Sequence, residues 1–210
     1  AQFKLFGATK SDISSDKADF GAFLTNDNTL YFASARNTSR KEYGLNEEPY
    51  LDLYKATYNS NKTISEATTV DNLNTKWHDG PATITSDGST MYFASESFNE
   101  SKGFEKDKEK QLKFGKIYLY KATKEGDSWS NKKALPFNNV AYSVRNPSIS
   151  KDGKTLYAVD QIGFRMIIID TETKRLKHNV PVGRYPFGIC LSPDEKKVYV
   201  DNENESIRIV

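Results

Sequence analysis

A short unit recurs four times along this chain, and it consists of a polar turn followed by an apolar run. The copies read NDNTLYFAS, SDGSTMYFAS, SKDGKTLYAV and SPDEKKVYV, and they begin at Asn26, Ser86, Ser150 and Ser192. Successive turn Asp residues are 60, 65 and 42 residues apart, at Asp27, Asp87, Asp152 and Asp194. Such a repeat predicts similar units that pack against one another, because one unit cannot bury its own apolar faces.

Each copy predicts a small sheet of antiparallel strands. Asp-Gly or Asp-Asn between two β-type runs is a strong hairpin signal, since these residues tolerate the positive φ of a tight turn. A third β-type run follows at 50–57, 116–123, 165–172 and 206–210, and a fourth, more polar run follows at 63–70, 131–137 and 176–182. Four strands per unit without helical periodicity predict an all-β chain, a four-bladed β-propeller.

The two ends of the chain complement each other in this prediction. The fourth copy lacks a fourth run, whereas residues 1–7 (AQFKLFG) alternate apolar and polar side chains and have no blade of their own. We therefore predict that 1–7 pair beside 206–210 and close the ring, which removes an open sheet edge. The predicted blades of this single domain cover 18–74, 78–139, 143–182 and 184–210 together with 1–7.

Composition excludes two classes of partner. Thirty basic and 28 acidic residues leave a net charge of only +2, which is too balanced for a surface that follows a phosphate backbone. No apolar run approaches the roughly 20 residues of a membrane helix. We expect no nucleic-acid binding, no membrane insertion and a monomer. The lone Cys190 lies in an apolar stretch and is expected to be a buried core residue.

Residues that carry the common catalytic chemistries are sparse. The two histidines, His78 and His178, lack the spacing of metal ligands, and a structural role is expected for both. The chain contains neither G-x-S-x-G nor G-x-G-x-x-G. We therefore expect no catalytic residue, no metal and no cofactor.

The first three repeats resemble a known family. ADFGAFLTNDNTLYFASAR, YLDLYKAT, DGPATITSDGSTMYFASESFNE and NPSISKDGKTLY are similar to the WD-like repeats of TolB-type propellers. They are more similar still to the propeller region of OmpA-family envelope proteins of Bacteroidetes, over about 14–157. From about 158, the segment VPVGRYPFGICLSPDEKKVYVDN resembles the YVTN-family propellers. The resemblance implies a bacterial envelope location, periplasmic or on the cell surface, and the change of pattern fits a natural gene or a chimera equally.

Two acids occupy equivalent places in the first two repeats. Asp19 and Asp79 each lie eight residues before the turn Asp. Acids at a channel mouth are typical of propeller enzymes such as glycosidases and lyases, in which carboxyl groups act as acid and base. However, Val144 and Pro186 stand near that place in the other repeats, which favours a structural interpretation in which the Asp caps the preceding loop.

Two insertions, 36–49 and 96–115, fall between the second and third strands of adjacent blades, so we expect them side by side on one rim. Loops of this length are often functional, although the charged second insertion also fits a solvated connector. Aromatic side chains among charges indicate a recognition surface. The predicted binding residues on this rim are Asp19, Tyr43, Asp79, Phe98, Phe104, Phe114, Arg145 and Tyr185.

These features favour a non-enzymatic binding or scaffold propeller of the bacterial envelope, which holds an envelope protein or a glycan through the insertion-bearing rim. Two alternatives stay open. One is a propeller enzyme, a glycosidase or lyase, that uses carboxylates at the channel mouth. The other is a chimeric propeller without a specific function.

Overall fold

The computed structural model describes residues 10–43, 47–109, 111–203 and 206–210. Within these ranges the regular structure is almost entirely β, and one 3₁₀ turn at Ser97–Asn99 is the sole helical element. No helix in the described part of the chain is long and apolar enough to cross a membrane.

The strands follow the four repeats. The first repeat forms β1 (Asp19–Leu24), β2 (Thr29–Ser34), β3 (Glu42–Tyr43), β4 (Glu48–Pro49), β5 (Asp52–Thr57) and β6 (Thr68–Thr69). The second forms β7 (Asp79–Ile84), β8 (Thr90–Glu96), β9 (Phe104–Asp107), β10 (Leu112–Gly115), β11 (Ile117–Glu125) and β12 (Ser128–Ala134). The third forms β13 (Val144–Ile149), β14 (Thr155–Asp160), β15 (Arg165–Asp170) and β16 (Leu176–Pro181). The last forms β17 (Pro186–Leu191), β18 (Val198–Asn202) and β19 (Ser206–Ile209).

Each repeat is one antiparallel blade, and the predicted four-bladed propeller is confirmed. The sheets run β1-β2-β5-β6, β7-β8-β11-β12, β13-β14-β15-β16 and β17-β18-β19. Two small hairpins, β3-β4 and β9-β10, lie within the insertions of the first and second blades. The fourth run of the first repeat is much shorter than predicted, because β6 contains only Thr68 and Thr69.

The four hairpin turns have the predicted conformation and meet along one rim, which we call the turn rim. Asn28, Gly88, Gly153 and Glu195 all have positive φ. The turn Asp side chains accept hydrogen bonds from the hydroxyl two residues before them, at 2.6 Å for Thr85 and Asp87. Neighbouring turns are also joined, since Asn26 Nδ2 donates to Ser86 O at 2.9 Å and Ser86 Oγ donates to Lys151 O. The repeated turn therefore stabilises its own hairpin and also joins it to the turn of the adjacent blade.

The apolar runs of the middle strands face adjacent blades on both sides. Met91 and Phe93 of β8 pack in the core between the first and second blades, whereas Tyr92 and Ala94 pack in the core between the second and third. Successive side chains of a strand point to opposite faces, so a strand covered on both faces is apolar throughout. A third, smaller core joins the third and fourth blades through Val159, Met166, Val198 and Val200.

The last blade differs from the others. It has three described strands, and the outer strand β19 exposes Ile207 and Ile209 by 69% and 61%. The predicted pairing of 1–7 with this strand lies outside the described residues. Cys190 is exposed, which corrects the expectation of a buried core residue. Its neighbours Ile189 and Leu191 pack into the third core, so Cys190 points to the opposite face of β17.

Candidate functional site

The rim opposite the turns, which we call the insertion rim, is built by one repeated backbone contact. At or just after the end of the second strand of each blade, one backbone N–H donates to a carbonyl just before the inner strand. The four bonds are Ala35 to Ala18 at 2.9 Å, Glu96 to His78 at 3.0 Å, Gln161 to Ser143 at 3.0 Å and Glu203 to Tyr185 at 3.3 Å. Ala35, Glu96, Gln161 and Glu203 are therefore structurally equivalent positions.

The insertions of the first two blades stand side by side on this rim, where a continuous series of aromatic rings connects them. Tyr43 stacks on Tyr50 with ring centroids 5.1 Å apart, and Tyr50 meets Trp77 edge-on at 5.7 Å. Trp77 packs against Phe98 at 4.7 Å, and Phe98 against Phe104 at 6.1 Å. We call Tyr43, Tyr50, Trp77, Phe98 and Phe104 the aromatic row.

Lysine side chains flank the aromatic row. Lys76 Nζ lies 5.3 Å from the ring centroid of Trp77, and Lys113 Nζ lies 4.9 Å from that of Phe104. The row therefore combines apolar ring faces with positive charge, and ammonium groups at these distances are attracted to the rings. Phe114, a predicted binding residue, is 48% exposed and follows Lys113 within β10.

His78 lies under the end of the aromatic row, with its ring edge-on to both Tyr43 and Tyr50 at 4.2 and 4.7 Å. Its Nδ1 accepts the backbone N–H of Leu51 at 3.1 Å, so the neutral ring carries its proton on Nε2. Burial, together with the positive charge of Arg145, lowers the pKa of His78 to about 4. His78 is therefore a neutral hydrogen-bond donor at ordinary pH.

The Nε2 proton of His78 faces the carboxyl of Glu96. His78 Nε2 and Glu96 Oε1 are 3.9 Å apart, and the two side chains are only 13% and 15% exposed. Burial, reinforced by the nearby charge of Asp79, raises the pKa of Glu96 to about 7. A carboxyl with this pKa exchanges a proton readily near neutral pH, which is the property required of a general acid or base.

The two acids predicted at the channel mouth are held by the protein itself. Asp19 forms a 2.9 Å ion pair with Arg36, and it accepts hydrogen bonds from the backbone N–H and the hydroxyl of Ser15. Asp79 is fully buried and accepts hydrogen bonds from Ser95 Oγ at 2.6 Å and Thr75 N at 2.5 Å. Each carboxylate braces the loop before its strand, as the structural interpretation predicts.

The other two predicted residues lie nearer the fourth blade. Arg145, on inner strand β13, places its guanidinium 4.6 Å from the ring centroid of Phe187. Tyr185 is 51% exposed and packs edge-on against Phe164 at 5.2 Å. A cleft of 560 Å³ opens here, and its lining residues are Gln161, Tyr185, Phe187, Asp201, Asn202 and Glu203.

The structure thus brings Tyr43, Phe98, Phe104 and Arg145 into one region but leaves Asp19 and Asp79 in local bracing roles. Across the ranges given above, no group of three His, Cys, Asp or Glu side chains is placed to hold a metal ion.

Sequence reasoning missed Glu96, Tyr50 and Trp77. Aligning the copies places Glu96 at the same position as Ala35, Gln161 and Glu203, so the sequence alone offers two acids at this place and does not single out Glu96. Trp77 and Tyr50 lie in connections whose lengths differ between repeats, and no alignment position draws attention to them. His78 was assigned a structural role for want of metal spacing, although its contact with Glu96 needs no metal.

Comparison with solved structures finds the same fold in proteins of very different sequence. Hydrazine synthase of Kuenenia stuttgartiensis matches with a TM-score of 0.61 and 15% identity over 89% of this chain and 56% of that one. The gluconolactonase XC5397 of Xanthomonas campestris matches with a TM-score of 0.58 and 10% identity, over 90% and 55%. The periplasmic gluconolactonase PpgL of Pseudomonas aeruginosa matches with a TM-score of 0.54 and 12% identity, over 90% and 55%.

This chain therefore spans little more than half the length of each of these proteins. No protein-family model matches the sequence. A search of curated proteins gives no match either.

The prediction of a non-enzymatic scaffold is wrong by this comparison, and the prediction that the chain is not an enzyme is wrong with it. The three proteins named above are described as enzymes, two of them as gluconolactonases. The insertion rim carries an acid that the prediction overlooked, since burial raises the pKa of the enclosed Glu96 carboxyl to about 7. Identities of 10 to 15% show the shared fold alone, so the reaction must be argued from the site.

Proposed function

We propose that this chain is a hydrolase that opens a sugar-derived ring, with a lactone as the substrate class and Glu96 as the general base. The observation that carries the proposal is the Glu96 carboxyl, enclosed on the insertion rim beside the neutral His78 and close to the aromatic row. The description of two proteins of this fold as gluconolactonases supports the choice of substrate.

The aromatic row suits a cyclic, hydroxyl-bearing substrate. Aromatic faces provide a large apolar contact for the C–H face of a ring, whereas the tyrosine hydroxyls and nearby charged groups serve its oxygens. Tyr43 is 43% exposed, and its pKa is raised mainly by partial burial, with smaller contributions from the carboxylates of Glu48 and Glu96. A ring bound against Tyr43 therefore lies within the neighbourhood of the Glu96 carboxyl.

The chemistry needs one proton carrier. The ionised Glu96 takes a proton from a water molecule while the water oxygen bonds to the acyl carbon of the lactone. The bond between the acyl carbon and the ring oxygen then breaks, and the ring oxygen takes the proton back from Glu96. The product is the open-chain hydroxy acid. His78 positions the carboxylate through its Nε2 proton, because apo separations such as 3.9 Å shorten when a substrate excludes water.

Glu96→Gln tests the proposal. We expect the wild type to hydrolyse D-glucono-δ-lactone above the spontaneous rate in a pH-stat assay, and the variant to lose about 100-fold or more of that excess rate. Glu172→Gln is the matched control, because Glu172 is an exposed glutamate in the turn between β15 and β16. The enzymatic rate should rise with pH and level off above about 7, since the base must be ionised.

Two results would contradict the proposal. One is a Glu96→Gln variant that hydrolyses the lactone as fast as the wild type. The other is activity on glycosides instead of lactones with a rate that falls above pH 7, which would assign Glu96 as a general acid of the glycosidase alternative.

We also propose that the repeats belong to the TolB-type, OmpA-family and YVTN propellers and that the protein lies in the bacterial envelope. The resemblance to TolB-type, OmpA-family and YVTN repeats supports a bacterial envelope origin, and the description of PpgL as periplasmic agrees with it. Fractionation of the source cells tests the location, and recovery in the cytosol alone would reject it.

A further inference from the structure

Arg145 carries a positive charge that the described part of the chain does not neutralise. Its Nη1 reaches Gln161 Oε1 at 3.3 Å, whereas its Nε is buried and has no hydrogen-bond partner among those residues. Burial lowers the pKa of Arg145, and the one group that opposes this effect is Tyr43. Arg145 is partly buried and its Nε is fully enclosed, so the lack of a counterion among the described residues is costly and such an arginine needs a reason to be retained.

Asn146, the residue after Arg145, also has a buried polar atom without a described partner, in this case an acceptor. Asn146 is only 8% exposed, and its Nδ2 donates to Phe187 O while its Oδ1 has no partner in the described chain. Nearly all buried polar atoms in proteins are hydrogen-bonded, so an unpaired donor and an unpaired acceptor on adjacent residues form an unusual pair. Both lie on β13 beside the inner strand of the fourth blade.

Arg145 also stands between the parts of the insertion rim already described. On one side its charge acts on His78 and Tyr43, and on the other it contacts Phe187 and Gln161 of the 560 Å³ cleft. That cleft contains two carboxylates, but Asp201 accepts the backbone N–H of Gly188 and Glu203 is exposed. Neither raises the pKa of Arg145. The guanidinium therefore remains available to an anion that arrives with a ligand.

We infer that Arg145 is a binding residue for a carboxylate or phosphate group carried by the substrate ring, with Asn146 as a hydrogen-bond acceptor beside it. The inference rests on the proposed function, because it names the substrate class of the same rim, a sugar acid or sugar phosphate. An arginine that presents several N–H donors to an anion forms charge-assisted hydrogen bonds, which are about twice as strong as neutral ones.

Equilibrium binding measured by calorimetry tests this inference without depending on hydrolysis. The probes are D-glucuronate, inorganic phosphate and the uncharged D-glucose. We expect D-glucuronate or phosphate to bind the wild type at least about 10-fold more tightly than D-glucose, and Arg145→Met to weaken the anion by about 10- to 100-fold. Binding of D-glucose should not change in the variant.

Two further variants make the measurement specific. Arg175→Met removes an exposed arginine and should leave all affinities unchanged. Arg145→Lys keeps the charge but not the planar set of donors, so its affinity for the anion should lie between those of the wild type and Arg145→Met. This variant keeps the test usable where Arg145→Met folds poorly. The tighter of the two anions identifies the group, and either result supports the site.

Equal affinity of Arg145→Met and the wild type for both anions would overturn the inference, as would a wild type that prefers neither anion to D-glucose. A wild type that binds the anion but does not hydrolyse the lactone supports the Arg145 site and rejects the proposed reaction. A wild type that hydrolyses a neutral lactone but binds neither anion supports the reaction and rejects the Arg145 site.

Discussion

Glu96 is held in an environment that disfavours its own charge. Burial raises its pKa from an ordinary value of 4.5 to about 7, because the enclosed carboxylate loses water and lies near Asp79. His78 shows the opposite response to the same surroundings, since burial favours its neutral form and lowers its pKa to about 4. Near neutral pH, Glu96 can therefore gain or lose a proton while the neutral His78 remains a hydrogen-bond donor, a division of roles that suits proton transfer.

The stability of the fold should report the raised pKa of Glu96. Between pH 4.5 and about 7 the folded chain keeps a proton that the unfolded chain has lost, so the free energy of unfolding falls as pH rises through this window. Glu96→Gln removes this titration. We expect the variant to be more stable than the wild type at pH 8 by roughly 2 to 3 kcal/mol, with no difference at pH 4, in urea denaturation.

The comparison is made against Glu172→Gln, whose stability should follow the wild type at every pH. A Glu96→Gln variant that gains no stability at pH 8 would show that the carboxyl is solvated in the folded chain. His78 contributes in the opposite direction below pH 6.5, where the unfolded chain takes up a proton that the buried ring resists. The Glu96 effect is therefore read from the difference between variant and wild type, in which the His78 contribution cancels.

Predictability from the sequence differs among these residues for a physical reason. The turn acids were found because a positive φ and a short side-chain bond recur at a fixed place in every repeat. Glu96 was not found, because its raised pKa depends on burial and on charges from distant parts of the chain, namely Asp79 and the loops that enclose the rim. For Asp19 and Asp79 the repeat indicated a structural role, since each carboxylate accepts hydrogen bonds from the loop before its strand.

The inner strands share an irregularity that brings adjacent blades close together. The pairing register shifts between Phe20 and Phe23 in β1, between Asp79 and Ala82 in β7, and at matching places in β13 and β17. At this bulge Gly21 has a φ of +66°, and an added Cβ would overlap the Pro81 ring, within 2.9 Å of its Cγ. The first and second blades therefore touch where only glycine fits.

Gly21→Ala tests this contact against a matched glycine. We expect it to lower the free energy of unfolding by about 2 to 4 kcal/mol, because it combines a strained φ with overpacking against Pro81. Gly126→Ala should cost only about 1 kcal/mol, since Gly126 has a similar φ of +59° and no atom within 4 Å. Equal losses in chemical denaturation would show that the backbone conformation, rather than the contact between blades, requires Gly21.

The existence of the blade strands was predictable from the sequence, whereas their lengths and the two hairpins within the insertions were not. The hairpins and third strands fall within a few residues of the prediction, because an apolar run between turn residues has few other ways to fold. In the first blade, the fourth run at 63–70 forms only β6. There the backbone N–H of Ser65 still donates to Thr57 O at 2.9 Å, but the N–H of Thr57 donates to the Ser65 hydroxyl instead of a backbone carbonyl.

Hydrogen bonds join successive blades, whereas the contact described between the first and last blades is a pair of aromatic rings. Bonds between turns link each blade to the next, and Phe20 meets Phe187 at 5.7 Å between the first and last blades. Leu24, Cys190, Ile207 and Ile209 are nevertheless exposed on these two blades. A sheet with an open, apolar edge strand invites pairing with another chain. Residues 1–7, which lie outside the described part of the chain, are predicted to pair with this open edge.

Deletion of residues 1–7 tests ring closure. The sequence places Phe3 and Leu5 on one face of the predicted strand and Gln2 and Lys4 on the other. If this strand completes the last blade, its loss leaves the outer edge of β19 open, and we expect a melting temperature lower by several degrees or aggregation, seen by calorimetry and light scattering. Phe3→Ser with Leu5→Ser should reproduce much of the loss, whereas Gln2→Ser with Lys4→Ser should not, because only the apolar face is buried by docking. An unchanged, monomeric melt after the deletion would show that the ring holds without its first residues, and the exposed face of β19 would then need another partner.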